Sequence, residues 1–122
     1  MTLRELYSEI GGDYDQAVRV LRMDRLIDKH IRRLTANTVF NDLASAGETM
    51  EPQALFDAAH AVKGICANLG LTELSALASE ITEEYRAGCQ RKLTDGQVKE
   101  KIVRIGQLYG KTADIIRRYE QS

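Results

Sequence analysis

The C-terminal end of the chain carries the feature that most restricts its fold. Val98, Ile102, Ile105, Tyr109, Thr112, Ile116 and Tyr119 recur at alternating intervals of four and three residues, the period of one face of an α-helix. Leu108 and Ile115 widen that stripe. Thr94 and Gln97 have the spacing of a capping box, so the helix is expected to open there. About six turns fit between Asp95 and Tyr119. An amphipathic helix of that length gains most of its stability from what it packs against, so the rest of the chain has to supply partners.

Partners of the same kind follow in order from the N terminus. Thr2 with Glu5, and Asp13 with Gln16, repeat the box spacing ahead of Leu3, Leu6, Tyr7, Ile10 and of Ala17, Val18, Leu21. Gly11-Gly12 separates these two short helices. Asp24 is expected to cap a third helix with the stripe Leu26, Ile27, Ile31, Leu34. The weak helix formers Thr35–Thr38 mark a kink or short break, after which Val39, Phe40 and Leu43 continue to Gly47, an expected C-cap. Pro52 stands at the first position of a central helix whose stripe is Leu55, Ala58, Ala59, Val62, Cys66, Leu69, and Gly70 ends it. Thr72 is expected to cap the next helix at once, which makes the two antiparallel neighbours. That helix carries Leu74, Leu77, Ala78, Ile81 and Tyr85 and is expected to end near Gly88. The expectation is one all-α domain over residues 1–122. Residues 24–119 form an up-down-up-down four-helix bundle, and the short helices of 1–22 lie across one end of it.

Many functions are excluded early. A formal charge of -1 argues against a general nucleic-acid binder. No apolar run approaches the 18 residues of a membrane span, and the N terminus lacks a signal peptide's apolar stretch, so the expected location is the cytoplasm. Cys66 and Cys89 lack metal-site spacing; Cys66, on the apolar stripe, reads as a small buried hydrophobe. There is no phosphate-binding loop, glycine-rich nucleotide fingerprint or nucleophile elbow. Carboxylates and the Arg32-Arg33 and Arg117-Arg118 pairs are scattered over helix surfaces. His30, among Asp28, Lys29, Arg32 and Arg33, reads as a solvated or rim histidine.

His60 stands apart. It projects roughly 150° from the centre of the central helix's apolar stripe. Lys63, Gly64 and Ala67 share its face. Glycine inside a helix costs about 1 kcal/mol relative to alanine, so Gly64 needs a reason, and close approach of another molecule to the imidazole supplies one. An ordinary exposed imidazole is mostly neutral and nucleophilic near neutral pH. A phosphoryl group on the ring would lie within reach of the Lys63 ammonium, a mobile point charge.

The segment His60–Leu71, H-A-V-K-G-I-C-A-N-L-G-L, resembles the signature of histidine-containing phosphotransfer (HPt) domains. That signature has lysine three residues after the histidine, glycine four after, a small residue seven after and glycine ten after; Lys63, Gly64, Ala67 and Gly70 match. The opening I-G-G-D-Y-D also resembles bacterial members with two short helices before the bundle. The resemblance implies a phosphorelay intermediate that takes a phosphoryl group from the aspartate of a response-regulator receiver and passes it to another. It implies His60 as phosphoacceptor, Lys63 as the residue that steadies the phosphoryl group, Gly64 and Ala67 as the cleared approach, and Gly70 as structural. It further implies no ATP site, no cofactor of its own, Mg²⁺ supplied by the receiver, and receivers and a hybrid sensor kinase as partners. Such a chain is a phosphotransfer protein with a covalent phosphohistidine, not an independent kinase, and a monomer is expected.

Around that motif several placements stay open. Phe56, at the edge of the apolar stripe, packs on a neighbouring helix or meets the receiver; Asn68 meets the partner or helps end the helix. Ile65 flanks the motif beside it. Asp57 orients the imidazole or is simply solvated. Ser75, Ser79 and Thr82, taken as an exposed side of the following helix, would form a rim of the same interface. Two other function classes compete: a non-phosphorylated helical adaptor docking on a receiver or kinase, and a small enzyme or metal protein using His60 as base or ligand.

Overall fold

A computed structural model describes residues 1–121. Over these residues the chain forms seven α-helices and no strand: α1 (Leu3–Ile10), α2 (Tyr14–Leu21), α3 (Asp24–Leu34), α4 (Val39–Thr49), α5 (Pro52–Asn68), α6 (Thr72–Glu84) and α7 (Asp95–Glu120). The capping boxes of α1 and α7 are both formed: Thr2 and Glu5, then Thr94 and Gln97, exchange side-chain and backbone hydrogen bonds of 2.9–3.1 Å. Asp13 caps α2 by accepting the Gln16 N–H at 3.0 Å. Between α3 and α4 the helix is broken outright, and Asn37 accepts the Val39 N–H at 3.0 Å to start the second piece.

Tertiary pairings show how the elements run. Leu71, at the start of α6, hydrogen-bonds to Cys66 near the end of α5, whereas Arg86, just beyond α6, reaches Phe56 near the start of α5; the two helices are antiparallel. Ion pairs Arg104–Glu73 and Lys101–Glu80 set α7 antiparallel to α6. Tyr119 hydrogen-bonds to Asp28, Tyr109 stacks on Phe40 at 3.9 Å, and Gly47 meets Ile102, so α3 and α4 follow α7 in the opposite sense. The stripes meet in one core: Leu55, Ala59, Val62 and Cys66 of α5 lie with Ile81 of α6 and Val98, Ile105 and Ile116 of α7 at or near zero exposure. Each fully buried Leu, Ile or Val contributes about 1.5–3 kcal/mol.

The α5–α6 turn is the tightest joint. Gly70 takes φ 69, its N–H donates to Ala67 O, and the Leu71 N–H donates to Cys66 O at 2.9 Å. This is a Schellman closure, which requires a left-handed residue where glycine stands. The N-terminal helices seat on this turn. Tyr7 donates its hydroxyl to Leu69 O at 2.6 Å, and the Asp13 N–H donates to Gly70 O at 2.7 Å.

Five local expectations are corrected. Asp24 is the first helical residue of α3 and caps nothing, because Tyr14 of α2 donates its hydroxyl to its carboxylate; Met23 is the cap residue. Thr72 likewise lies inside α6, behind Leu71, whose placement comes from the Schellman turn. Gly47 does not end α4, which continues to Thr49 and stops at Met50 with φ 56. A Cβ at Gly47 would stand 2.9 Å from Ile102 Cδ1, so the glycine serves close packing of α4 on α7. α6 stops at Glu84, four residues before Gly88, because the buried Glu84 carboxylate collects the N–H groups of Lys92 and Leu93 and the Arg91 guanidinium, folding the chain back over it. Thr82, expected on an exposed rim, is fully buried and donates to Ala78 O at 2.8 Å; Ser75 and Ser79 are half-buried.

Candidate functional site

α5 places the candidate residues by its own periodicity. Its apolar face is consumed by the core, which turns His60 out to solvent. Lys63 and Ala67 are half-buried beside it, and Gly64 is exposed. A Cβ built at Gly64 meets nothing within 4 Å, so no packing need of this chain explains the glycine. A side chain there would project into open solvent, over the same stretch of helix surface that carries the imidazole.

Phe56, one turn before His60, is half-buried and stacks on the imidazole with ring centroids 5.6 Å apart and planes 14° from parallel. The Arg86 guanidinium carbon lies 5.5 Å from the Phe56 centroid. Arg86 is itself gripped by Glu83 of α6, through Nε–Oε2 at 2.9 Å and a second bond at 2.8 Å. The Arg86 hydrogen bond is the main cause holding the Glu83 carboxyl below its ordinary value; slight burial opposes it, and the charges of Arg86 and Lys63 add to it. Lys63 is thus close enough to Glu83 for its charge to be felt there, so the Glu83–Arg86 pair links the Phe56 ring to the Lys63 side of the site.

Asp57 accepts from Gln53 Nε2 at 2.9 Å, one turn toward the N terminus, so its carboxylate is engaged away from the imidazole. Asn68 is exposed two turns beyond His60 and lines a surface cleft with His30, Arg33 and Asn37. Ile65 is partly buried against the core. Cys66 is fully buried, and burial pushes its thiol up to about 12, leaving it inert as a nucleophile. His30 is exposed. Among the described residues no group of three or more His, Cys, Asp or Glu side chains is placed to hold a metal ion, and no helix is long and apolar enough to cross a membrane.

The geometry gathers His60, Lys63, Gly64, Ala67 and Phe56 on one side of α5 and leaves Asn68 in a separate cleft. It adds Glu83 and Arg86, which sequence reasoning missed. Their i,i+3 spacing is that of a helical ion pair and was visible, but the meeting of Arg86 with Phe56 depends on how α6 folds back on α5.

Compared with models of protein families, the chain matches the Hpt domain over residues 25–108. No match was found among curated proteins or among solved structures.

Proposed function

The chain belongs to the Hpt domain family, and from that premise we propose that it is a phosphorelay intermediate whose phosphoacceptor is His60. Hpt domains take part in histidine phosphotransfer in two-component systems, working with receiver domains and kinases. The observation that carries the assignment is the clearing around the imidazole: His60 is exposed, and the glycine one turn on leaves open space that its own chain does not use. A partner's active site can descend there.

In this reading a neutral ring nitrogen of His60 attacks the phosphorus of a receiver's aspartyl phosphate. The N–P bond forms as the aspartyl O–P bond breaks, the carboxylate leaves with the bonding pair, and the other ring nitrogen keeps its proton. Transfer to a second receiver reverses these steps. Such transfer depends on positioning and on charge compensation, and Lys63 supplies a cation one turn from the ring. Mg²⁺ belongs to the receiver, and no residue of this chain is assigned to it. Gly64 and Ala67 border the approach and Phe56 lies against the ring, whereas Asn68, expected as a docking residue, lines the separate cleft with His30 and Arg33 and is given no part in the transfer.

The same reading takes α3–α4, α5, α6 and α7 as four arms of an up-down-up-down bundle, supported by the antiparallel pairings above. Residues 1–22 cover one end of it within one domain. The helical stripes are used among themselves, which favours a monomer, and service to receivers favours a cytoplasmic location.

The test is phosphoryl transfer from a radiolabelled, phosphorylated receiver to the native protein and to His60→Gln, both checked for folding by circular dichroism. Label on the native chain alone, acid-labile and alkali-stable, is the expected result. Label persisting in His60→Gln would overturn the assignment, and receiver binding without any label would favour the adaptor.

A further inference from the structure

An exposed histidine on a helix samples several side-chain rotamers, and only some point a ring nitrogen along a line of attack. Here the imidazole does not stand free: it lies nearly parallel to the Phe56 ring, at 5.6 Å between centroids. Phe56 is in turn covered by Arg86, and both of the Arg86 side-chain hydrogen bonds go to the Glu83 carboxylate, which favours that placement of the guanidinium. The order of support runs from the end of α6, through a guanidinium and a phenyl ring, to the imidazole. The other candidate for orienting the ring, Asp57, is engaged by Gln53 instead.

We propose that Phe56 is a positioning residue for phosphoryl transfer, holding the His60 imidazole in one orientation while the Glu83–Arg86 ion pair holds Phe56. The proposal rests on His60 being the phosphoacceptor. The transfer step is the one balanced above; Phe56 gains and loses no bond in it. Its contribution is that the ring is already oriented when the receiver arrives, so less freedom is lost on the way to the transition state. An aromatic contact of this kind corresponds to a loss of about 2- to 10-fold in rate when it is removed.

The experiment is single-turnover transfer from a phosphorylated receiver at increasing receiver concentration, for the native chain, Phe56→Leu and Phe56→Tyr. Positioning predicts that Phe56→Leu lowers the saturating rate about 2- to 10-fold with half-saturation unchanged, and that Phe56→Tyr restores the rate. Nitrogen–proton NMR of the His60 ring supplies a readout that needs no receiver. The native ring protons should show the shielding of a stacked neighbour, lost in Phe56→Leu while the thermal melt stays cooperative. An unchanged saturating rate with raised half-saturation would overturn the proposal and make Phe56 a docking contact. Ring shifts identical in the native chain and Phe56→Leu would overturn it as well. A native chain that takes no label at His60 would overturn the relay reading, and this inference with it.

Discussion

Replacing Gly64 by alanine separates what the helix prefers from what its partner requires. Beyond the ordinary contacts of a helical Cβ with its own backbone the added methyl meets nothing within 4 Å, and the position is helical with no positive φ, so no steric cost arises in the isolated protein. The helix-propensity difference between glycine and alanine, about 1 kcal/mol, should then appear in full as added stability. For a chain of this length that is a rise of about 3–6 °C in Tm. The same methyl stands one turn from His60 on the approach face. There it should push a docking receiver away from the ring, and a misplacement of about 1 Å can cost about 100-fold in rate. Gly106→Ala and Gly110→Ala on α7 are the controls, since a Cβ at either also meets nothing within 4 Å. They should stabilise by the same amount and transfer phosphate at the native rate. Thermal melts and single-turnover transfer on the three variants test both halves. Gly64→Ala relaying at the native rate would refute the cleared-approach argument, as would an equal loss in the α7 variants. A fall in Tm for Gly64→Ala would refute the claim of unused space.

Two further substitutions test the joints that present the site. Glu84→Gln removes a buried carboxylate that accepts the Lys92 and Leu93 N–H groups at 2.8–2.9 Å and Arg91 at 2.7 Å, and should cost about 1.5–3 kcal/mol near neutral pH in urea unfolding. Burial by itself raises that carboxyl, but the bonds from Leu93, Arg91 and Lys92 outweigh it and hold it below its ordinary 4.5. Its contribution is therefore complete above about pH 4.5 and is lost as pH falls through the lowered folded-state value, so the two proteins should converge in acid; a gap undiminished at low pH would count against the clip. Gly70→Ala forces a left-handed residue, at about 1–3 kcal/mol, and drives a Cβ to 2.1 Å from the Asp13 carbonyl oxygen. It should cost clearly more than Gly11→Ala, which shares φ 69 but meets nothing within 4 Å; equal losses by urea unfolding would show that the contact with Asp13 is unimportant.

Much of the helical content was legible because its signals are local. The stripes of α5 and α7, the boxes at Thr2 and Thr94, the break at Thr35–Thr38 and the stop at Gly70 all depend on residues within one turn of each other. Apart from Thr72, displaced by the local turn at Gly70, the errors come from contacts with residues more than one turn away. Asp24 looked like a cap until Tyr14 took its carboxylate, and Gly47 looked like a terminator until Ile102 was found against it. Thr82, one turn from Ala78, lies at the edge of the α6 stripe, where the packing of the helix and not its period decides burial; it belongs to the core.

At the site the same division holds. The sequence by itself determined that His60, Lys63, Gly64 and Ala67 share a face turned from the apolar stripe, because positions three and four residues apart on one helix cannot avoid each other. It also placed Phe56 one turn from His60, though not which way the ring leans. That was decided by the tertiary structure alone, when the hairpin at Gly70 returned α6 along α5 and set Arg86 over Phe56 and Glu83 within reach of the Lys63 charge. A local period fixes which residues are neighbours on a helix; the side chains that arrive from another helix depend on where the chain turns and how tightly the faces pack.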